Sequence, residues 1–285
     1  MKLRNIAIIA HVDHGKTTLI DALLRQSGAV RDNQNVADRA LDSNDLERER
    51  GITILAKCTS VLWHDTRLNI VDTPGHADFG GEVERILGMV DGALVLVDAS
   101  EGPLPQTKFV VGKALALGLR PIVVINKVDR PDQRATEVVN EVFDLFAALD
   151  ADDNQLDFPI VYASAKQGWA ADSLEAERTD LAPLFDLIVR HVPAPTIGEG
   201  SQFVMLATTL EADPYLGRVL TGRIHSGAVS PNMTVRVLDH TGAVVEDGRI
   251  SKVLAFRGLE RQPIERSEAG DIVALAGLGN ASVSN

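Results

Sequence analysis

A glycine, a lysine and two threonines follow a short strand-like run near the start of the chain. A strand is predicted over Leu3 to Ile9, and the apolar spacing of residues 19–24 predicts a helix. The loop between them reads Ala-His-Val-Asp-His-Gly-Lys-Thr-Thr over residues 10–18. N–H groups of such a loop and of the helix start point at one spot, where the helix dipole favours an anion. The residues expected to bind phosphate here are Asp13, His14, Gly15, Lys16, Thr17 and Thr18.

Two residues of this loop have separate expected roles. The Lys16 ammonium is expected to reach the β- and γ-phosphates, and the Thr17 hydroxyl is expected to bind Mg²⁺. Ala10 stands where the usual phosphate-loop pattern has a glycine, and a residue at negative φ accepts the extra Cβ at little cost. By itself the loop also fits an ordinary turn between strand and helix, so the prediction depends on residues further along the chain.

A second polar segment follows the predicted strand that ends at Val71. Asp72, Thr73 and Pro74 lead into Gly75 and His76. A carboxylate at Asp72 suits an indirect contact to Mg²⁺, and the N–H of Gly75 is expected to contact a γ-phosphate. The alternative is a strand that simply ends in a polar turn.

The residues that follow a third predicted strand, Pro121–Ile125, are expected to determine which base the nucleotide carries. The Asp129 carboxylate can accept from both N1–H and the 2-amino group of guanine, whereas adenine has an acceptor at N1 and would leave the carboxylate unpaired. The stem of Lys127 is expected to lie along the base, and Asn126 is expected to tie this loop to the phosphate loop. The N–H of Ala165 is expected to donate to guanine O6. The predicted guanine-binding residues are Asn126, Lys127, Asp129, Ser164, Ala165 and Lys166.

A charged segment over residues 42–51 precedes Ile52 and Thr53. Such a charge run is usually a solvated helix face. However, the Thr53 hydroxyl could bind Mg²⁺ only while a γ-phosphate is present, which would make this segment a nucleotide-dependent switch.

Alternating strands and helices position these motifs. Up to residue 192 the pattern predicts an α/β domain, a phosphate-loop nucleotide-binding domain with a mainly parallel sheet that binds ligands at the carboxyl ends of its strands. A short connection at residues 64–66 predicts one antiparallel hairpin. Residues 193–202 contain prolines and glycines and predict a linker. Short strands over 203–285 then predict a small antiparallel β-barrel, with a hairpin tip at residues 239–242. The predicted strands are Leu3–Ile9, Thr59–Trp63, Arg67–Val71, Ala93–Val97, Pro121–Ile125, Phe158–Tyr162, Phe203–Leu210, Arg218–Ser226, Thr234–Asp239, Gly248–Phe256 and Asp271–Ala276, and the helices are Lys16–Gln26, Gly80–Met89, Pro105–Leu117, Ala135–Leu149 and Leu181–His191.

Composition limits the classes of protein. The 285 residues carry a net charge of −12, which argues against simple electrostatic attraction to nucleic acid or an anionic membrane, although a local basic face stays open. The first apolar run is too short to span a membrane and no cleavable signal precedes it. Cys58 is the one cysteine, so no intramolecular disulfide forms. We expect a cytoplasmic monomer that binds neither DNA nor membranes.

The order of the motifs resembles the translational GTPases. The loop of residues 10–18, Arg-Gly-Ile-Thr at 50–53, Asp-Thr-Pro-Gly-His at 72–76, Asn-Lys-Val-Asp at 126–129 and Ser-Ala-Lys at 164–166 follow each other as in that family. The longer stretches 41–57, 75–85 and 155–165 are similar to its TypA group, also called BipA. The resemblance covers essentially the whole chain. It also accounts for Ala10, because elongation factor G, LepA and TypA carry alanine at that position.

The resemblance implies an activity and further roles. It implies slow hydrolysis of GTP to GDP and phosphate with Mg²⁺, accelerated on the ribosome, with ribosomal RNA as a partner. His76 would be the catalytic residue that positions the attacking water, and Val12 and Ile52 would form a gate beside it, for which ordinary packing is the alternative. Asp13 would hold a monovalent cation, with a hydrogen bond inside the loop as the alternative. Family members continue with further domains, so we expect the chain to be their N-terminal two-domain portion.

Two other functions stay open at this point. One is a GTP-dependent binding switch in which hydrolysis is secondary, and the other is a phosphotransferase that acts on a small acceptor. The spacing of His11 and His14 resembles a metal-binding pair, but both lie in the phosphate loop, so we expect no zinc.

Overall fold

The computed structural model describes residues 2–29, 56–74 and 80–285. These residues form two compact units, one that ends at Ala194 and one that begins at Pro195. Four of the expected site residues lie outside the described ranges: Ile52, Thr53, Gly75 and His76.

The first unit contains a seven-stranded sheet with the strand order β2-β3-β1-β4-β5-β6-β7. Its central pairs are parallel, while β2 pairs antiparallel with β3 and β7 pairs antiparallel with β6. The strands are β1 (Lys2–Ala10), β2 (Lys57–Trp63), β3 (Thr66–Asp72), β4 (Gly92–Asp98), β5 (Arg120–Asn126), β6 (Ile160–Ser164) and β7 (Trp169–Ala171). The helices are α1 (Lys16–Gln26), α2 (Gly80–Leu87), α3 (Pro105–Ala116), α4 (Ala135–Ala148), α5 (Asp153–Leu156) and α6 (Ala182–His191).

The apolar composition of the central strands explains why they lie in the middle of the sheet. Every residue of β4 is buried, and β1 and β5 are buried except near their first residues. Strands with helices on both faces bury both sets of side chains, which is typical of parallel sheets. One apolar core therefore lies between the sheet and α1 and α6, and it includes Leu23, Leu96 and Phe185.

Three of the differences between the first unit and the sequence-based prediction have a clear physical reason. Strand β6 begins at Ile160, not at Phe158, because Pro159 has no N–H to donate to a ladder. The four-residue helix α5 was not predicted; it is held by a capping box between Asp152 and Gln155. Strand β7 was also missed, since three residues are too few to show an alternating pattern.

The second unit is built from antiparallel strands. A five-stranded sheet has the order β14-β13-β16-β9-β8, and two shorter ladders pair β10 with β15 and β11 with β12. A separate apolar core that includes Leu220, Ile250 and Val273 fills this unit. The strands are β8 (Val204–Asp213), β9 (Gly217–Ser226), β10 (Ala228–Val229), β11 (Thr234–Leu238), β12 (Val244–Arg249), β13 (Lys252–Arg257), β14 (Glu260–Ile264), β15 (Ser267–Glu268) and β16 (Ile272–Ala276).

The turn chemistry of the second unit is visible in its hydrogen bonds. The Asp239 carboxylate accepts from the N–H groups of Thr241 and Ala243 at 2.8 and 3.0 Å, which closes the predicted hairpin tip. The predicted strand Gly248–Phe256 is split into β12 and β13, because Ile250 N–H turns toward Met233 C=O. Residues 195–202, which the sequence assigned to the linker, lie in this unit, where Gly198 N–H donates to His225 C=O at 2.7 Å.

No helix among the described residues is both long enough and apolar enough to cross a membrane.

Candidate functional site

The loop between β1 and α1 places a glycine at the start of the helix. Gly15 caps α1 with φ of 99°, in the left-handed region where side chains are strained. A Cβ on Gly15 would lie 2.5 Å from Nδ2 of Asn126. Gly15 therefore meets two requirements at once, a positive φ and a close approach of β5.

The Asn126 side chain connects the loops that the sequence assigned to phosphate and base. It is 1% exposed, its Nδ2 donates to His14 C=O at 2.8 Å, and its Oδ1 accepts from Ala165 N–H at 2.9 Å. A buried amide with both ends satisfied fixes its neighbours firmly. The ends of β1, β5 and β6 are therefore held together by one side chain.

Substitution of Gly15 is expected to disturb this connection. Gly28→Ala should cost about 1 kcal/mol of unfolding free energy through backbone strain alone, since φ at Gly28 is +71° with nothing within 4 Å. Gly15→Ala should cost about 2 kcal/mol more, because the new Cβ also displaces the buried Asn126 amide. Urea unfolding of the two variants measures the difference, and equal losses would contradict the close approach.

The Ala165 N–H has a partner within the chain. It was expected to donate to guanine O6, but in the structure it donates to Asn126 Oδ1. A base at this position would therefore share that N–H with Asn126. The sequence could not show this competition, because it depends on the side-chain orientation of Asn126.

Lys127 is anchored by a residue that the sequence analysis did not single out. Its Nζ lies 2.6 Å from Oδ2 of Asp98 at the end of β4 and donates to Asp13 C=O, also at 2.6 Å. Asp98 is fully buried, and its Oδ1 accepts from the N–H and hydroxyl of Ser100. Because Asp98 and Asp13 hold the ammonium of Lys127, its aliphatic stem is free to line the wall of the site.

The charge of Asp98 contributes to stability. Burial by itself would raise the pKa of Asp98, but Lys127 and Ser100 outweigh it and lower the pKa from 3.8 to about 2. The folded chain favours the ionised carboxylate of Asp98 more than the unfolded chain does. Ionised Asp98 therefore stabilises the folded chain by about 2 kcal/mol, and this stabilisation is fully present above about pH 4. It is lost as the pH falls from about 4 to about 2.

Asp98→Asn is expected to remove this pH dependence. The difference in unfolding free energy between the parent chain and Asp98→Asn should shrink as the pH falls below about 4. Asp144→Asn, at an exposed position of α4, is the matched control. Urea unfolding across this pH range tests the prediction, and a constant difference would contradict it.

The side chain of His14, a residue of the phosphate loop, points into the protein interior. Its ring is buried, its Nδ1 accepts from Asp98 N–H at 3.3 Å, and its Nε2 lies 3.3 Å from Oε2 of Glu101. Burial and the nearby His11 lower the pKa of His14, which favours the neutral ring. Of the phosphate-binding groups predicted from the sequence, His14 could thus offer only its backbone, while its side chain supports the loop from below.

Lys16 and Asp72 form a direct ion pair. Lys16 Nζ lies 2.7 Å from Oδ1 of Asp72, which is 2% exposed, and it also donates to Thr73 C=O. The sequence had assigned the ammonium to phosphate and the carboxylate to the surroundings of Mg²⁺. In the structure the two groups neutralise each other where β1 and β3 end, so a bound phosphate would compete with Asp72 for this ammonium.

A cavity of about 790 Å³ is lined by α1, by the loop that precedes it and by the residues at the ends of β5 and β6. Its size is within the range of small-molecule sites. Asp129 and Lys166 are exposed at its wall, and Thr18 is exposed at the first turn of α1. Val12 and Thr17 belong to the same segment of residues 10–18 as Asp13 and Gly15, and both are half-buried. The expected site residues that line the cavity are Asp13, Gly15, Thr18, Asn126, Lys127, Asp129, Ser164, Ala165 and Lys166.

Known protein families match most of the chain. Residues 1–194 match the family of the elongation factor Tu GTP binding domain, and residues 217–285 match elongation factor Tu domain 2. Among solved structures, a crystal structure of a Thermus thermophilus protein aligns with 99% of this chain and 53% of its own, with a TM-score of 0.75 and 20% identity. At that identity the likeness shows the fold alone.

Curated relatives share a higher identity. A protein of Escherichia coli K12 is 56% identical over 284 residues, and one of Synechocystis is 53% identical over 283 residues. Each is named large ribosomal subunit assembly factor BipA. These alignments cover 100% and 99% of this chain but 47% of each relative, so the chain spans about half the length of the relatives it matches.

Proposed function

This chain belongs to the family of the elongation factor Tu GTP binding domain, and we propose a function for it on that basis. We propose that the chain binds GTP at the cavity beside Asn126 and hydrolyses the nucleotide to GDP and phosphate. The observation that carries this proposal is the Asn126 amide, which joins the phosphate loop, the base loop and the loop of residues 164–166. These three loops are the ones that a guanine nucleotide must contact together.

The base is read at the exposed end of the cavity. The Asp129 carboxylate accepts from guanine N1–H and the 2-amino group, and no equivalent pair of donors exists on adenine. Lys127, anchored to Asp98, places its stem along the face of the base. Ser164 and Lys166 also line the cavity.

The phosphates lie at the start of α1. N–H groups of residues 13–18 surround them, and the Lys16 ammonium moves from Asp72 to the β- and γ-phosphates. The Thr17 hydroxyl and the Asp72 carboxylate are hard oxygen donors, which fits Mg²⁺ with Asp72 acting indirectly. When bound, Mg²⁺ neutralises charge on the β- and γ-phosphates.

Hydrolysis breaks the bond between the γ-phosphorus and the oxygen that bridges to the β-phosphate. A water attacks in line, and the Lys16 ammonium stabilises charge that develops on the phosphate oxygens. Four residues outside the described ranges belong to the same proposal: Gly75 contacts the γ-phosphate, His76 positions the water, Thr53 binds Mg²⁺, and Ile52 forms a gate with Val12. The exposed Asp13 carboxylate, at the cavity wall, holds a monovalent cation beside the phosphates.

The partner in this proposal is the ribosome, including ribosomal RNA, in the cytoplasm, with the chain acting as a monomer. The relatives' name, large ribosomal subunit assembly factor, supports the ribosome as the partner. Release of phosphate from GTP and from ATP, each with and without isolated large ribosomal subunits, tests the activity. We expect slow release from GTP, faster release with the subunits and none from ATP. Release from neither nucleotide would contradict the proposed hydrolysis.

A further inference from the structure

We propose that Gln167 is a positioning residue that orients the Asp129 carboxylate for guanine. The inference rests on the proposed function, because it concerns the same cavity. Gln167 follows the Ser-Ala-Lys segment and lines the cavity, and its Nε2 donates to Oδ2 of Asp129 at 3.5 Å. That distance is at the long end for a hydrogen bond. Whether this contact orients the Asp129 carboxylate therefore depends on the groups that hold the Gln167 amide in place.

The backbone of Gln167 is held in a tight turn. Gly168 N–H donates to Ser164 C=O at 2.8 Å, and Gly168 has φ of +76°. Gln26 at the end of α1 donates to Gly168 C=O at 2.6 Å. The same Gln26 amide accepts from Leu181 N–H at 2.7 Å, so the turn is tied to two other segments of the first unit. Gln167 therefore begins from a fixed backbone position.

The direction of the Gln167 amide follows from its second contact. Trp169 Nε1–H donates to Gln167 Oε1 at 2.8 Å. An indole N–H only donates, so it must face the oxygen of the amide and not its amino group. The amino group of Gln167 is thereby turned to the other side, which is the side of Asp129.

Trp169 is itself buried and packed. It is 5% exposed in β7, and the guanidinium of Arg178 lies 4.7 Å from the centre of its ring. A cation above an aromatic face is attracted to it. The contacts therefore run from Arg178 through Trp169 and Gln167 to the carboxylate that reads the base.

This arrangement matters because Asp129 is exposed. To accept from N1–H and the 2-amino group together, both carboxylate oxygens must lie in the plane of the base. A donor on Oδ2 that comes from a fixed amide limits rotation of the carboxylate, while the oxygen keeps a second lone pair for the base. Guanine, with two donors, should depend on this orientation more than hypoxanthine, which keeps N1–H and lacks the 2-amino group.

The test compares dissociation constants for GDP and inosine diphosphate in three variants. Gln167→Met removes the amide at similar length, and Trp169→Phe removes the indole donor but keeps a ring. Gln262→Met, at an exposed position of β14, is the matched control. We expect the preference for GDP over inosine diphosphate to fall about fivefold in Gln167→Met, with a smaller fall in Trp169→Phe and none in the control.

Two results would overturn the role of Gln167. One is an unchanged preference in Gln167→Met, and the other is an equal loss of affinity for both nucleotides, which would indicate general packing. Because Gln167 is exposed, this variant is expected to fold even if Trp169→Phe does not. Failure of the parent chain to prefer GDP over ADP would instead contradict the proposed function, so the two failures are distinguishable.

Discussion

Asp129→Asn is expected to reverse the base preference of the chain. The substitution replaces the carboxylate that we propose accepts two charge-assisted hydrogen bonds from guanine by an amide, which should weaken GDP binding by about 3 kcal/mol, or about a hundredfold. The amide presents a donor that suits the C2 carbonyl of xanthine. Xanthosine diphosphate should therefore bind the variant better than it binds the parent chain.

Calorimetric titration of both nucleotides into both proteins measures this exchange. Asp132→Asn removes a carboxylate at an exposed position three residues further on and should leave both affinities unchanged. If the dissociation constant of Asp129→Asn for GDP lies within about threefold of that of the parent chain, Asp129 does not recognise the base. The test is direct because Asp129 lies at the cavity wall, where its substitution leaves the apolar core intact.

Lys16→Met is expected to have the second large effect, and it should act on two quantities. Loss of the ammonium removes the contact to the phosphates that we propose for it, which should lower GDP affinity by about a hundredfold. Without nucleotide, the variant also leaves the Asp72 carboxylate, 2% exposed, without the ammonium that neutralises it. Breaking a buried pair in this way should lower the unfolding free energy by about 3 kcal/mol.

A double variant separates the two effects. Lys16→Met combined with Asp72→Asn removes both charges, so most of the lost unfolding free energy should return while GDP binding stays weak. Lys108→Met, at an exposed position of α3, is the control for removal of a lysine. Urea unfolding and calorimetric titration of the four proteins give both quantities. Equal stability of Lys16→Met and the parent chain would show that the ion pair contributes nothing.

The sequence predicted those parts of the molecule that depend on local spacing. The order of the motifs indicated a translational GTPase, and the match of residues 1–194 to the elongation factor Tu GTP binding domain confirms the family. The alternating strands and helices predicted the mainly parallel sheet, and helix α1 has the predicted bounds. These features depend on residues close together in the chain.

Contacts between distant segments could not be predicted in the same way. Asp98 supports Lys127 because β4 and β5 are neighbours in a register that pairs Asp98 with Asn126. The spacing of residues along the chain does not specify that register. For the same reason the ion pair of Lys16 with Asp72 and the buried position of His14 were missed. A polar residue at the end of an apolar strand, as at Asp98, was the available signal.

The most direct test of the account is a calorimetric titration of the chain with GDP, a non-hydrolysable GTP analogue and ATP, each with Mg²⁺. The central claim is that the loops joined by Asn126 form one site that is specific for guanine. It predicts micromolar or tighter binding of both guanine nucleotides and no binding of ATP. Equal affinity for ATP, or no binding of the guanine nucleotides, would contradict it.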